Sequence, residues 1–443
     1  MRIQSTVRVC QMSDLHYSGK NLAESERCFA YAVNRAIAAG PDCVVISGDS
    51  TDHALDAHAP AFAALARNLR RLADHCPVLM LQGTFSHEPP GTLAVFGLLG
   101  GRYPVMVADR IKQVALLPGG IWAESSGWRF DGIPDGTRLL VSCIPTVNKG
   151  AVAAVVGATQ AAEALGAEMA NLLRALAPGH RDARASGIPT AVVSHGTVSG
   201  CTTEHGVPMA GLDHEFTTGS LFAAEASAVM LGHIHRHQIW ESGDRLIAYA
   251  GSIGRFHYGE EGDKGMLVWE VGPEGASAVL DPTPARRTID VSFAGAPNLD
   301  ELRAIAADAQ GAFVKVRWEI GEEERASVDR AAIEAALAGA AEVKLEGRIV
   351  PVVRSRAAGI SKAGTLHDKL QQWASVVGAD PAPLSATLAT LESSTPEAIA
   401  AAILATAAPL PETLSAAQAS VAAVPVPAVP GPEPESELCD LFG

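Results

Sequence analysis

The chain has 443 residues, 48% hydrophobic and 19% charged, enough for roughly two or three domains with buried cores. Its formal charge of −15 argues against a protein that coats nucleic acid through a broad basic face. No apolar run reaches the ~18 residues of a membrane-spanning helix, so no membrane association is expected.

The first residues, MRIQSTVRVCQMSDLH, lack the order of a secretory signal, and the seven cysteines stand singly without CxxC spacing. Together these predict reduced thiols and a cytoplasmic location. Of the 14 histidines, 13 lie at or before His257, and His367 alone lies beyond. Residues 381–443 carry seven acids and no Lys or Arg, so nearly half of the excess negative charge sits in the last 63 residues.

Residues 1 to about 280 alternate short apolar runs with Ala-rich helical stretches. The runs at 7–12, 43–47, 78–82, 139–144, 191–194 and 229–231 have the length of buried strands. Helical patterns fill 24–39, 59–75 and 151–177, and 246–250 and 265–271 read as closing hairpin strands. This alternation predicts an α/β domain with a largely buried sheet. The text DPTPARR near Asp281 breaks the pattern, and 286–352 reads as strand, helix, strand, helix, strand. Residues 363–377 place Leu366, Leu370, Trp373 and Val377 on one helical face. Two short helices follow at 383–391 and 396–407, then an Ala/Pro/Val-rich linker over 408–435 and an acidic tip, ESELCDLFG.

Five predicted strands end in metal-ligand side chains: Asp14 and His16, Asp49, His87 with Glu88, His195, and His233 with His235. Functional residues of open α/β sheets gather at the carboxyl ends of strands. Alternate residues of an extended chain point the same way, so D-x-H and H-x-H can each serve one site. Carboxylates plus imidazoles in this number suit a pair of Mn²⁺, Fe²⁺ or Zn²⁺ ions better than Mg²⁺. Two such ions about 4 Å apart can activate water and stabilise an in-line phosphoryl displacement.

In this order, D-x-H, GD, S-H-E, S-H-G and G-H-I-H resemble the calcineurin-like metallophosphoesterases over about residues 7–271. More narrowly, GHIHRHQIW…YAGSIGRFHYGEEGDKG resembles the SbcD-type exonucleases, DNA nuclease subunits that partner a coiled-coil ABC-type ATPase, SbcC. The resemblance implies an α/β fold: a metallophosphoesterase β-sandwich flanked by helices over 1–284, with a small α/β capping domain over 285–352. It also implies a helical partner-docking segment over 353–408, before the flexible acidic tail at 409–443. Asp14, His16 and His235 would hold the first metal, Asp49 would bridge, and His195 and His233 would hold the second. His87 would be the catalytic histidine, stabilising the phosphate or protonating the leaving oxygen. Two divalent ions, Mn²⁺ foremost, would be the cofactors and DNA the substrate, in a cytoplasmic, nucleoid-associated protein.

The third motif departs from the family's Gly-Asn-His-Asp/Glu. Here Gly83-Thr84-Phe85-Ser86-His87-Glu88 has no Asn, and Ser86, Thr84, Glu88 or a water is left to complete the ligand set of the second metal. Asp52, His53 and His58 read as decoration of a helix start, with His53 in reach of a phosphate as the alternative. Thr197, Ser199, Thr202, Thr203, His205 and His214 form a polar loop beside the site. Arg236 and His237 follow GHIH, Ser252, Arg255 and His257 line the site by resemblance alone, and Cys10 and Cys43 are core thiols.

Arg286, Arg287, Arg354, Arg356, Lys362 and Lys369 are either solvated charges or, in the cap, trackers of a DNA backbone. The helix at 363–377 is either ordinary packing or the dock for the ATPase's coiled coil. The tip 438–442 resembles the bacterial sliding-clamp-binding peptide, and a homodimer is left open. Two other functions stay in view: a small-molecule phosphatase or phosphodiesterase, and a degenerate scaffold that recruits an ATPase or clamp.

Overall fold

The computed structural model describes residues 6–147, 158–203 (backbone alone for 158–163), 215–260, 262–351 and 359–406. The start of the helix expected at 151–177, His205, His214, Arg354, Arg356 and the tail with its 438–442 tip lie outside the described residues.

In chain order the first part runs β1 (Val7–Met12), α1 (Leu22–Ala39), β2 (Cys43–Ile46), α2 (Pro60–Ala73), β3 (Val78–Leu81), β4 (Val105–Ala108), β5 (Lys112–Leu117), β6 (Ile121–Glu124) and β7 (Leu139–Ile144). It continues with α3 (Ala158–Ala185), β8 (Thr190–His195), β9 (Thr197–Val198), β10 (Glu215–Phe216), α4 (Thr218–Phe222), β11 (Ala228–Gly232), β12 (Gln238–Ser242), β13 (Arg245–Tyr249), β14 (Gly265–Val271) and β15 (Ala276–Pro282). The mixed α/β class is as expected.

Two sheets carry this part. One has the order β15-β14-β1-β2-β3-β4, the other β12-β13-β11-β8-β7-β5-β6. β1 to β4 are mutually parallel, as are β7, β8, β11 and β13. The period-2 alternation decides which side chain goes where. Val7 and Val9 face a layer shared with Val114, Val141, Val193 and Met230 of the other sheet. Cys10 and Met12 face the opposite way, into a layer with Phe29 of α1 and Leu65 of α2. α3 and α4 cover the far face of the second sheet through Leu173 and Leu221. Each large side chain buried there contributes about 1.5–3 kcal/mol.

Gln11 is the polar exception in β1. It is buried between the sheets, its amide donating to Ser47 Oγ and Leu231 O and accepting from Trp269 Nε1, each at 2.9 Å. A buried amide so satisfied ties the sheets at one edge. That edge is where β1, β2, β3, β8 and β11 end.

β16 (Thr288–Phe293), β17 (Phe313–Gly321) and β18 (Glu342–Val350) form a separate sheet in that order, with β16 and β17 parallel. The intervening helices Leu299–Ala304 and Arg330–Ala336 are capped by Asn298 and Asp329 and bury Leu302 and Ile333. Contacts group the described residues up to Trp318, with Val328–Gly347, as one unit, and Glu319–Ser327 with the residues from Arg348 onward as another. In the second unit the helix Leu366–Val377 starts at a Thr365 cap and stops at Gly378, φ +70°. Helices Ala382–Ser393 and Pro396–Thr406 follow it. Leu366, Trp373, Val377, Leu384 and Leu391 remain exposed. No helix among the described residues is long and apolar enough to cross a membrane.

Candidate metal centre

Asp14, His16 and His235 place one ligand atom each within 4.8 Å of one another, and so do Asp49, His195 and His233. The loops after β1, β2 and β11 and the last residue of β8 supply all six. D-x-H serves one cluster, whereas H-x-H is split, His233 to one cluster and His235 to the other. The backbone differs from the extended chain expected. Asp14, His16, Asp49 and His233 have φ of 51°, 45°, 51° and 100°, four of the five described non-glycine residues with positive φ. Such positions cost about 1–3 kcal/mol each and persist where surrounding structure dictates them.

Hydrogen bonds hold the kinks. Asp14 N and His16 N donate to Gly48 O and Asp49 O, at 3.1 and 3.0 Å. Gly48 itself sits at φ +98°, and a Cβ there would collide with the His195 ring. His233 N donates to both Asp14 carboxylate oxygens, at 3.2 and 3.1 Å, which joins the two clusters.

In both clusters imidazole nitrogens converge on a carboxylate. His195 Nδ1 lies 2.8 Å from Ser47 O and must donate to it, so the neutral ring leaves a lone pair on Nε2. That Nε2 meets Asp49 Oδ2 at 3.2 Å. His16 Nδ1 faces Asp52 Oδ1 at 3.4 Å, and His235 Nδ1 faces Glu260 Oε1 at 3.3 Å. Their Nε2 atoms stand 2.9 Å apart, at 4.0 and 3.8 Å from Asp14 Oδ1. Lone pairs converging on a carboxylate need a cation between them. The donor set of two imidazoles and one carboxylate per cluster fits a divalent transition metal.

The electrostatics say the same. Burial would raise the Asp49 carboxyl, but His195, then His16 and His87, hold it well below the usual carboxylate range. Burial would lower His195, but Asp49 raises it well above an ordinary imidazole. In the cation-free state a proton thus takes the place of positive charge in that cluster.

His87 is half-buried, with Nδ1 2.8 Å from Asp52 O and 3.7 Å from Asp52 Oδ1. Its ring centroid is 4.9 Å from that of His16. Asp52 therefore does more than decorate a helix start: it faces both imidazoles, and its hydrogen bond with His16 lowers its own pKa. Proximity to Asp49 was the signal available, but a carboxylate three residues after GD reads equally well as a cap.

Thr84 stands nearest the missing Asn. Its Oγ1 is 3.2 Å from Asp49 Oδ2 and 3.3 Å from His195 Nε2, and its N donates to Asp49 Oδ1 at 2.7 Å. Ser86 is exposed. Glu88 is buried and accepts from the backbone N–H groups of Ser50, Thr51 and Gly83, which staples the third loop to the second. Burial, then Asp49, pushes its carboxyl up to about 7. Glu260 and Lys264 were not singled out from sequence, since only folding brings them to His235.

Of the remaining candidates, His53 and His58 are exposed. His237 Nδ1 bonds Tyr249 O at 2.7 Å and Ser252 Oγ donates to Gly254 O at 2.8 Å, both local supports. Arg255 donates to Glu260 O at 3.1 Å and Gly262 O at 2.7 Å, bracing the loop. Thr197 is buried, Ser199 N donates to Phe216 O at 2.7 Å, and Thr202 N to Gln238 Oε1 at 2.8 Å. Cys10 and Cys43 are buried and burial pushes both thiols up. Arg286 pairs with the buried Glu24 at 3.0 Å and Arg287 with Asp308 at 3.4 Å.

No protein-family model and no curated protein matches the chain. Among solved structures it is similar to GAP50, the anchor in the inner membrane complex of Plasmodium: 13% identity over 63% of this chain and 85% of that one, TM-score 0.41. It is similar to a dimetal phosphatase from Danio rerio, at 10% identity over 62% and 98%, TM-score 0.38. It is also similar to a predicted phosphoesterase from Streptococcus pneumoniae, at 12% over 62% and 98%, TM-score 0.21.

Proposed function

We propose that the chain is a two-metal phosphoesterase, with DNA phosphodiesters as its substrate. The observation that carries the hydrolase reading is the pair of imidazole–carboxylate clusters, Asp14–His16–His235 and Asp49–His195–His233, joined through His233 N and the Asp14 carboxylate. Divalent cations held there would supply Lewis-acid polarisation of a phosphoryl oxygen. Asp49 and Asp14 place carboxylates where cations are needed, and the neighbouring imidazoles, His195 foremost, hold the Asp49 carboxyl low against its burial. His87 supplies the proton. Its Nδ1–H is committed to Asp52 O, so Nε2 is the nitrogen that exchanges protons with the substrate. The ring donates its Nε2 proton to the leaving oxygen as that P–O bond breaks, while water forms the new P–O bond and gives up a proton to solvent, from which the ring is reprotonated. Thr84, in reach of the second cluster, favours a working site over a degenerate scaffold.

The DNA reading rests on the SbcD-like text from His233 to Gly265. The partner in this reading is an SbcC-type coiled-coil ATPase at 363–408. The exposed Leu366, Trp373, Leu384 and Leu391 suit an apolar helical root. A sliding clamp at 438–442 and a homodimer are further partners to test.

One observation favours the second reading, a small-molecule phosphodiesterase: five of the seven described arginines of the 285–351 region pair with carboxylates, Arg303 with Asp300 among them. Arg286 and Arg287 pair as above, Arg317 with Asp290 and Glu346, and Arg348 with Glu319. The deciding experiment gives the purified chain Mn²⁺ and compares duplex DNA, with and without the ATPase, against bis(p-nitrophenyl) phosphate. DNA cleavage supports the first reading. Ester cleavage without any DNA binding supports the second, and inertness toward both overturns the hydrolase reading.

A further inference from the structure

We propose that Glu260 and Lys264 are positioning residues that fix the ring of His235 and thereby set the affinity of the first cation. The inference rests on the reading of Asp14, His16 and His235 as a cation site. Both side chains are wholly buried, with Lys264 Nζ 2.6 Å from Glu260 Oε2. Lys264 Nζ also donates to His235 O at 2.8 Å. Glu260 Oε1 faces His235 Nδ1 at 3.3 Å and accepts from Phe256 N and His257 N, at 3.2 and 3.0 Å. Lys264 therefore grips His235 twice: its backbone directly, its ring through Glu260. The Phe256 ring closes the arrangement, edge-on to His16 at 5.4 Å and to His235 at 6.2 Å.

A buried ion pair is an expensive way to pack a loop, because desolvation offsets much of its attraction and apolar side chains serve as well. Apolar side chains cannot accept a hydrogen bond from Nδ1. A carboxylate there holds the Nδ1–H tautomer, points the Nε2 lone pair at Asp14 and His16, and raises its basicity. Outer partners of this kind typically change metal affinity about 10–100-fold. The ion pair keeps that carboxylate charged and still where water is excluded.

Single variants strand a buried charge, so the test uses two double variants, Glu260→Leu/Lys264→Met and Glu260→Gln/Lys264→Met. Titration of the full-length protein with Mn²⁺ reads both cations. Expected for the Leu/Met pair is a first-cation affinity about 10–100-fold weaker, with the Asp49–His195–His233 cation unchanged. The Gln/Met pair, which keeps a neutral acceptor, recovers part of the loss. Nitrogen-15 NMR of the cation-free wild type, at a pH where the His235 ring is neutral, gives a readout that needs no variant, since the neutral ring should show the Nδ1–H tautomer alone. Wild-type affinity at both sites in the Leu/Met pair, or an Nε2–H tautomer in the wild type, overturns the proposal. A wild type that binds no cation yet shows the Nδ1–H tautomer overturns the cation reading, and the affinity claim with it, but leaves the positioning contact standing.

Discussion

His16 and His235 face each other Nε2 to Nε2 at 2.9 Å, although 219 residues separate them. Each ring has its Nδ1 turned to a carboxylate, Asp52 for one and Glu260 for the other. With both Nδ1 atoms protonated, the two Nε2 lone pairs would face each other, an arrangement that a shared cation relieves. Replacing either by Ala should cut bound Mn²⁺ from two ions per chain to one and lower phosphoester hydrolysis at least about 100-fold. Metal analysis after gel filtration, beside the rate, reads both.

His87 holds its own ring through Asp52 and contributes no atom to either of the two three-residue clusters. His87→Ala should leave both cations bound and lower the hydrolytic rate about 10²–10⁴-fold, the usual loss of a positioned acid. Esters with a leaving group of low pKa should be spared, because they need no proton. A uniform loss across leaving groups would assign His87 to phosphate binding instead.

Thr84 is the residue to vary at the altered third motif. Thr84→Ala should weaken the second cation about tenfold, in the range of lost outer partners, while leaving the first. Thr84→Asn should bind the second at least as tightly as wild type. Chelator-buffered Mn²⁺ titrations separate the two.

The Asp49–His195 pair sets a pH dependence for the cation-free protein. His195 is raised above the ordinary imidazole value of about 6.5, to about 10. Its contribution is therefore complete below that ordinary value and is lost as pH climbs through the raised one. Asp49 is depressed, so its share is present above the ordinary carboxylate range and is lost only in strong acid. Stability of the cation-free protein should fall between about pH 6.5 and about 10. Added Mn²⁺ should raise the melting temperature most at the alkaline end, where it replaces the lost proton. Thermal melts across that window, with and without cation, check the sign.

The candidate site residues were legible because each follows an apolar run of strand length, and a strand end in an α/β fold has one destination. Asp14, His16, Asp49, His87, His195, His233 and His235 could be chosen for that reason. The route they take was not legible: left-handed turns at Asp14, His16, Asp49 and His233 replace the straight chain that spacing implied. Residue type does not announce positive φ for histidine, which adopts it under the pull of bonds such as His16 N to Asp49 O. Glu260, Lys264 and Asp52 stayed hidden for another reason. Their meaning lies in contacts with His235, His16 and His87, and nothing local distinguishes them from solvated charges. The helical segment at 363–377 was readable from its apolar face and that at 396–407 from its Ser-Thr-Pro-Glu start, and the helices run Leu366–Val377 and Pro396–Thr406.

The central claim is two cations in two defined clusters. Crystals grown with Mn²⁺ and measured at the manganese edge should give two anomalous peaks per chain. One should lie among Asp14, His16 and His235, the other among Asp49, His195 and His233. Diffraction with no peak in either cluster, at millimolar Mn²⁺ and neutral pH, would contradict the account.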